Sequence, residues 1–191
     1  MGSMRELLFI TTNPHKVQEI QELAESESRN LTIVHRNYEY PELQLGEVEE
    51  VARESAKYIQ EKVAIQKPFF IEDSGLFIHA LHGFPGPFSA FVFKKIGNEG
   101  ILKLMAGKQG EERRAMFKTA VAFCEPQREE PVILIGTVEG SIADEGRGSG
   151  GFGFDPIFEF EGKTFAELST EEKNNVSHRS RAFRKLLAYL S

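Results

Sequence analysis

Leu7-Leu8-Phe9-Ile10-Thr11-Thr12-Asn13-Pro14-His15-Lys16 is the stretch that decides the fold. Its apolar residues run without interruption, the pattern of a strand covered on both faces, as in a parallel sheet. A helix follows at once. Asn13 suits the N-cap, Pro14 suits the first helical position, and Val17, Ile20, Leu23 and Ala24 recur at helical spacing. A buried strand feeding an amphipathic helix is the opening unit of an α/β domain. The turn between them also carries chemistry: free backbone N–H groups, the positive end of a helix dipole, the hydroxyls of Thr11 and Thr12 and the Lys16 ammonium make a seat for phosphate. The same residues read equally as an ordinary capped turn with Lys16 in water.

Working outward, residues 31–34 read as a second strand and residues 47–66 as a long helix with the stripe Val48, Val51, Ala52, Ala56, Ile59 and Val63. Lys57 falls opposite that stripe, toward solvent or a cleft. Residues 68–71 form another buried strand that ends in Glu72-Asp73-Ser74-Gly75. Two adjacent carboxylates there repel and lose hydration unless a cation is near, which fits a Mg²⁺ site or a general base of raised pKa. An acidic turn with Gly75 at positive φ is the plainer alternative. Short helices over 88–96 and 98–105 and a hairpin of 115–124 with 132–142 follow.

The glycine-rich stretch Gly146-Arg147-Gly148-Ser149-Gly150-Gly151-Phe152-Gly153-Phe154-Asp155-Pro156 ends in aromatics, a carboxylate and a φ-locking proline, unlike a flexible linker. It reads either as a loop bringing Phe152 and Phe154 to a flat ligand with Asp155 as acceptor, or as a tight turn with its Phe rings in the core. Ser169 and Glu172 have capping-box spacing before Lys173, and a last helix starts near Ser177 with core face Phe183, Leu186, Leu187 and Leu190. His178 and Arg179 lie in its first turn, where cations oppose the dipole and an anionic or carbonyl ligand would relieve them.

The chain has 191 residues, 40% hydrophobic and 27% charged, with net charge -6. This suits a soluble globular domain, and the negative charge works against nucleic acid or anionic membrane as partners. No run of residues approaches a membrane span. Residues 1–3 look like an expression-tag remnant before a single domain over 4–191, with no signal peptide, so a reducing, cytoplasmic setting is expected. The single Cys124, in an alternating apolar strand, reads as a small buried hydrophobe.

Taken together, Thr11-Thr12-Asn13 with Lys16, Pro41-Glu42, Glu72-Asp73-Ser74-Gly75-Leu76, the run from Gly151 to Pro156, and Glu172-Lys173-Asn174-Asn175-Val176-Ser177-His178-Arg179 resemble the inosine triphosphate pyrophosphatase, or Ham1, family. The match runs from Leu7 to Leu187 in the family's order. Thr12 stands where the family usually has Gly, and Phe154 where relatives often have Tyr or Trp. The resemblance implies an α/β fold with a central mixed β-sheet, flanking helices and two lobes around an active-site cleft, assembled as a homodimer. It implies hydrolysis of inosine, deoxyinosine and xanthosine triphosphates to monophosphate and pyrophosphate, with Mg²⁺ as cofactor and Mn²⁺ able to substitute. By the same resemblance Glu42 and Asp73 hold the metal, and Asp73 is the catalytic base. A carboxylate bound directly to Mg²⁺ is a weaker base, so base and metal-ligand roles for Asp73 stay open. Thr11, Thr12, Asn13, Lys16, Lys57 and Ser74 are implied on the phosphate side. Phe152, Gly153, Phe154, Asp155, Lys173, Ser177, His178 and Arg179 are implied around the base. Donors there suit the 6-oxo group and N7, whereas the adenine 6-amino group would leave them unpaired.

Overall fold

A computed structural model of the chain describes residues 5–27, 30–41, 43–63 and 65–191. In order, the elements are β1 (Arg5–Ile10), α1 (Pro14–Glu27), β2 (Leu31–Arg36), α2 (Val48–Lys62), β3 (Phe69–Ile78), β4 (Pro85–Gly86), α3 (Ser89–Leu104), β5 (Arg114–Cys124), β6 (Val132–Ile142), β7 (Phe158–Phe160), β8 (Lys163–Thr164), α4 (Thr170–Val176) and α5 (His178–Leu190). The strands form one mixed sheet in the order β2-β1-β3-β5-β6-β7-β8, with β4 on β3. The α/β fold with a central mixed sheet and flanking helices is therefore observed. β1 runs parallel to β2 and β3, and from β3 through β5 to β8 each pair is antiparallel. None of the described helices is long and apolar enough to cross a membrane.

Strand alternation assigns the two faces of the sheet. Leu7, Phe9, Phe70, Val121 and Phe123 pack against α1 and α5 through Val17, Ile20, Leu23, Phe183 and Leu186. On the opposite face Ile10, Phe69, Ile71, Ala120, Ala122 and Cys124 pack against Val48, Ala52, Ala56 and Ile59 of α2. Cys124 is buried, and burial pushes its thiol up to about 12, in keeping with a packing role. A further cluster around Leu76, Phe117, Phe158 and Phe165 fills the region under α3 and the β7–β8 hairpin.

Two sequence expectations change, and a third, the pair of short helices over 88–96 and 98–105, holds. β3 does not end at Glu72: it runs on to Ile78 because β5 pairs with it along its whole length. Gly75 is a strand residue rather than a left-handed turn residue, and it is needed for close approach, since a Cβ there would lie 2.2 Å from the Gly86 carbonyl oxygen. The two helices over 88–105 follow one another directly and are divided by Gly97, whose φ of 59° breaks the helical path. The short β4, β7 and β8 carry too few residues for a periodicity to show.

The longer β3 creates the feature that matters. β1 pairs with β3 only at Phe69 and Phe70, whereas β4 covers the same edge of β3 at Leu76 and Phe77. Between them, residues 71–75 of β3 have no described strand on that side. This gap in the sheet lies beyond the end of β1, where the Thr11-Thr12-Asn13 turn begins α1.

Candidate active site

Local rules build the first wall of the gap. The Asn13 Oδ1 accepts from the His15 N–H at 3.0 Å and Thr11 Oγ1 accepts from the Asn13 N–H at 3.2 Å, which fixes the entry to α1. Thr11 is buried and Thr12 exposed. Lys16, one turn in, reaches across the gap: its Nζ lies 2.6 Å from Glu72 Oε1 and 3.5 Å from the Glu72 carbonyl oxygen.

Because neighbouring strand residues point to opposite faces, the acidic pair is split by the sheet. Glu72 and Ser74 follow Phe70 toward α1 and α5, and Asp73 follows Ile71 toward α2. The expected mutual repulsion of two adjacent carboxylates is thereby corrected: the cations that Glu72 meets are Lys16 and Arg179, whose Nε lies 3.5 Å from it. Glu72 is fully buried, and burial alone would raise its pKa. Arg179 and Lys16 outweigh that and lower it to about 2. Ser74 Oγ donates to Glu72 Oε2 at 3.1 Å and accepts from Arg179 at 3.1 Å. Asp73 is half-buried.

The second wall joins α1, the glycine-rich loop, α4 and α5. Glu19 of α1, which the sequence reading did not single out, is its hub. Lys173 Nζ donates to Glu19 Oε1 at 2.6 Å, and Arg179 donates to Glu19 Oε2 at 2.6 Å. Lys173 also donates to Asp155 Oδ2 at 2.6 Å, and the same oxygen accepts the Phe152 N–H at 2.7 Å. Burial pushes the Asp155 carboxyl up against the pull of Lys173. For Glu19, burial also pushes upward, but Arg179 and Lys173 prevail and its pKa is lowered. Gly151 makes the loop possible: its φ is +66°, and a Cβ there would sit 2.1 Å from Asp155 Oδ2. The capping box of Ser169 and Glu172 forms as expected and sets α4, on which Lys173 is carried.

Phe152 stands at the mouth of this network. Its ring lies 5.0 Å from Lys173 Nζ and 5.3 Å from the Arg179 guanidinium carbon, and His15 stacks on it at 5.2 Å. Gly153 follows at positive φ, with its carbonyl accepting from Asn98 at 3.2 Å. Phe154 departs from the expectation of a second stacking ring: it is 4% exposed and edge-on to Phe93 within the core. His178 is also enclosed, stacked on Phe117 at 4.5 Å, and burial followed by Arg179 and Lys173 holds its pKa well below the usual histidine range. It is a neutral imidazole. Ser177 is fully buried as the N-cap of α5, where its hydroxyl accepts from the Ser180 N–H.

Lys57 is not brought to the cluster. It pairs with Glu130 at 2.7 Å, in the turn between β5 and β6, near the start of β3 rather than the gap. Helical spacing correctly turned it away from the core, but along α2 it lies about 13 Å beyond the end that faces the gap. Glu42 lies outside the described residues. Among those described, no three His, Cys, Asp or Glu side chains are grouped to hold a metal ion.

The Ham1 family model matches residues 7–189. The chain is 45% identical over 188 residues to the dITP/XTP pyrophosphatase of Methanosarcina acetivorans, covering 98% of each. It is 47% identical over 186 residues to that of Thermococcus kodakarensis, covering 96% of each. Among solved structures, a HAM1 protein from Coxiella burnetii superposes with a TM-score of 0.82 at 32% identity, covering 98% of both chains.

Proposed function

We propose that this chain, which belongs to the Ham1 family, hydrolyses inosine, deoxyinosine and xanthosine triphosphates to the monophosphate and pyrophosphate, clearing them from the nucleotide pool. The observation that carries the reading is the gap beside residues 71–75 of β3, flanked by the α1 N-terminus and Lys16 on one side and Phe152, Lys173 and Arg179 on the other. The relatives at 45% to 47% identity are dITP/XTP pyrophosphatases over essentially their full length, which supports the substrate class.

In this account Thr11, Thr12, Asn13 and Lys16 take phosphate oxygens through N–H groups, hydroxyls and an ammonium. Phe152 covers the purine, with Asp155, Lys173, His178 and Arg179 around it and Gly153 letting the backbone approach. Phe154 and Ser177 support the pocket from within rather than touching the base. Protein donors meet a 6-oxo group and reject a 6-amino group, which would leave them unpaired at about 1–3 kcal/mol each. Asp73 takes the proton of a water that attacks the α-phosphorus. The bond from that phosphorus to the bridging oxygen breaks, and pyrophosphate leaves with the electron pair.

The half-buried Asp73 side chain offers carboxylate oxygens of the kind a hard divalent cation takes. Glu42 would hold Mg²⁺ or Mn²⁺, joined by Asp73 where Asp73 serves as metal ligand instead of base. When bound, the metal neutralises charge on the phosphates. A homodimer would cover the exposed Phe88, Phe91 and Ile96 of the α3 region. The net charge of -6 favours a free nucleotide over nucleic acid, and a cytoplasmic setting accords with that substrate.

The test is product identity. Incubation of each triphosphate with the protein and Mg²⁺ is expected to give monophosphate and pyrophosphate in equal amounts, and inosine diphosphate with orthophosphate would refute the reading.

A further inference from the structure

We propose that Lys118 of β5 is a phosphate-binding residue on the Asp73 side of the sheet, carrying the pyrophosphate end of the substrate. The proposal rests on the pyrophosphatase reading and adds a residue to its site.

The reaction needs cations on the leaving pyrophosphate. On the α1 and α5 face Lys16 serves the phosphates from its pair with buried Glu72, while Lys173 is held by Glu19 and Asp155 and Arg179 by Glu19 and Glu72. Asp73 lies on the other face, and Lys57, the lysine of α2 expected to serve there, sits with Glu130 at the far end of the helix. Lys118 is differently placed. It is paired in register with Gly75, while Asp73 is opposite Ala120, so Lys118 and Asp73 are diagonal neighbours on one face, about 7 Å apart at their backbones.

The surroundings fit an ammonium held ready for exchange. The Lys118 side chain is only 12% exposed, and its Nζ lies 5.2 Å from the centre of the Phe77 ring. Its partners are Glu47 at 2.9 Å and Glu49 at 2.7 Å, at the first turn of α2, and these carboxylates are 55% and 25% exposed. Unlike Glu72 and Glu19, they can return to water when a phosphate replaces them. The N-terminus of α2 lies beside the same ammonium and adds its dipole to an incoming anion.

The test compares Lys118→Met, Lys118→Arg and the double variant Glu47→Gln/Glu49→Gln, reading calorimetric binding of inorganic pyrophosphate with Mg²⁺ and KM for inosine triphosphate. Loss of a charged hydrogen bond predicts that Lys118→Met weakens pyrophosphate binding and raises KM by roughly 10- to 100-fold. Lys118→Arg should recover most of this, and the double variant should bind pyrophosphate as tightly as the parent or more tightly. If Lys118 merely fastens α2 to β5, removing either side of the pair weakens binding alike, and that result overturns the proposal. It is overturned too if Lys118→Met binds within about twofold of the parent. Should Lys118→Met fail to fold, the other two variants decide by the same criteria. Orthophosphate alone from the unaltered chain would remove the pyrophosphatase reading and this one with it, whereas pyrophosphate release with unchanged Lys118→Met binding removes only this one.

Discussion

The two faces of the sheet on either side of β3 are built in opposite ways. Toward α1 and α5, Lys16, Glu19, Glu72, Asp155, Lys173 and Arg179 form a buried network in which each charge meets an opposite one. Toward α2, Asp73 lies among apolar residues with Lys118 and its two glutamates nearby. A closed network holds donors at fixed positions without a ligand, which suits reading the shape of a base. On the sparser face the carboxylates paired with Lys118 stay partly in water, which suits an exchange for phosphates.

Exchanging the reactive carboxylate gives the largest expected effect. Asp73→Asn should lower kcat by about 10²- to 10⁴-fold, with melting temperature little changed. Turnover near that of the parent would remove Asp73 from the chemistry. Glu19→Ala attacks the closed network instead, leaving Lys173 and Arg179 short of their shared acceptor. It should destabilise the fold by about 3–5 kcal/mol in a denaturant titration, whereas a loss below about 1 kcal/mol would mean that the network does not act as a unit.

Acid tests the same face by titration. Glu72 is a carboxylate whose folded pKa, about 2, is below its ordinary 4.5, because Arg179 and Lys16 overcome burial. Its contribution, about 3 kcal/mol, is therefore present above pH 4.5 and lost as pH falls toward 2. His178 is held neutral by burial and adjacent cations, so the unfolded chain takes up its proton first, and stability begins to fall as pH drops below 6.5. Denaturation midpoints should decline in these two windows, and a flat profile from pH 7 to 3 would contradict the buried network.

Phe152→Ala should raise KM for inosine triphosphate by about tenfold, the worth of one stacked base, with a smaller change in kcat. The smallest effect is expected at Lys57. Its exchange for Ala should leave kcat and KM unchanged, since its partner is Glu130 on an exposed turn.

What could be read from the sequence was what short-range rules control. Asn13 and Pro14 start α1, Ser169 and Glu172 box the start of α4, and the apolar runs at Leu7 and Phe69 announce buried strands. The acidic residues after Ile71 look like a turn by composition, and only pairing with Val121 and Ala120 of β5, far later in the chain, keeps them in a strand. Splitting Glu72 from Asp73 follows from that pairing. Glu19 was hidden for a similar reason, because its partners are 154 and 160 residues away. A signal was present nonetheless: Glu19 lies one turn before Leu23 on the buried stripe of α1 and three residues after Lys16, so a carboxylate stands where an apolar residue belongs. Phe154 shows the reverse error, since an aromatic beside glycines reads as a ligand platform until its packing on Phe93 is known.

The central claim is that water attacks the α-phosphorus on the Asp73 side of the sheet while the base is held on the other. Hydrolysis of inosine triphosphate in ¹⁸O-labelled water, followed by mass analysis of the products, tests it most directly. The account predicts one labelled oxygen in the monophosphate and none in pyrophosphate. Label in pyrophosphate, or in released orthophosphate, would contradict it.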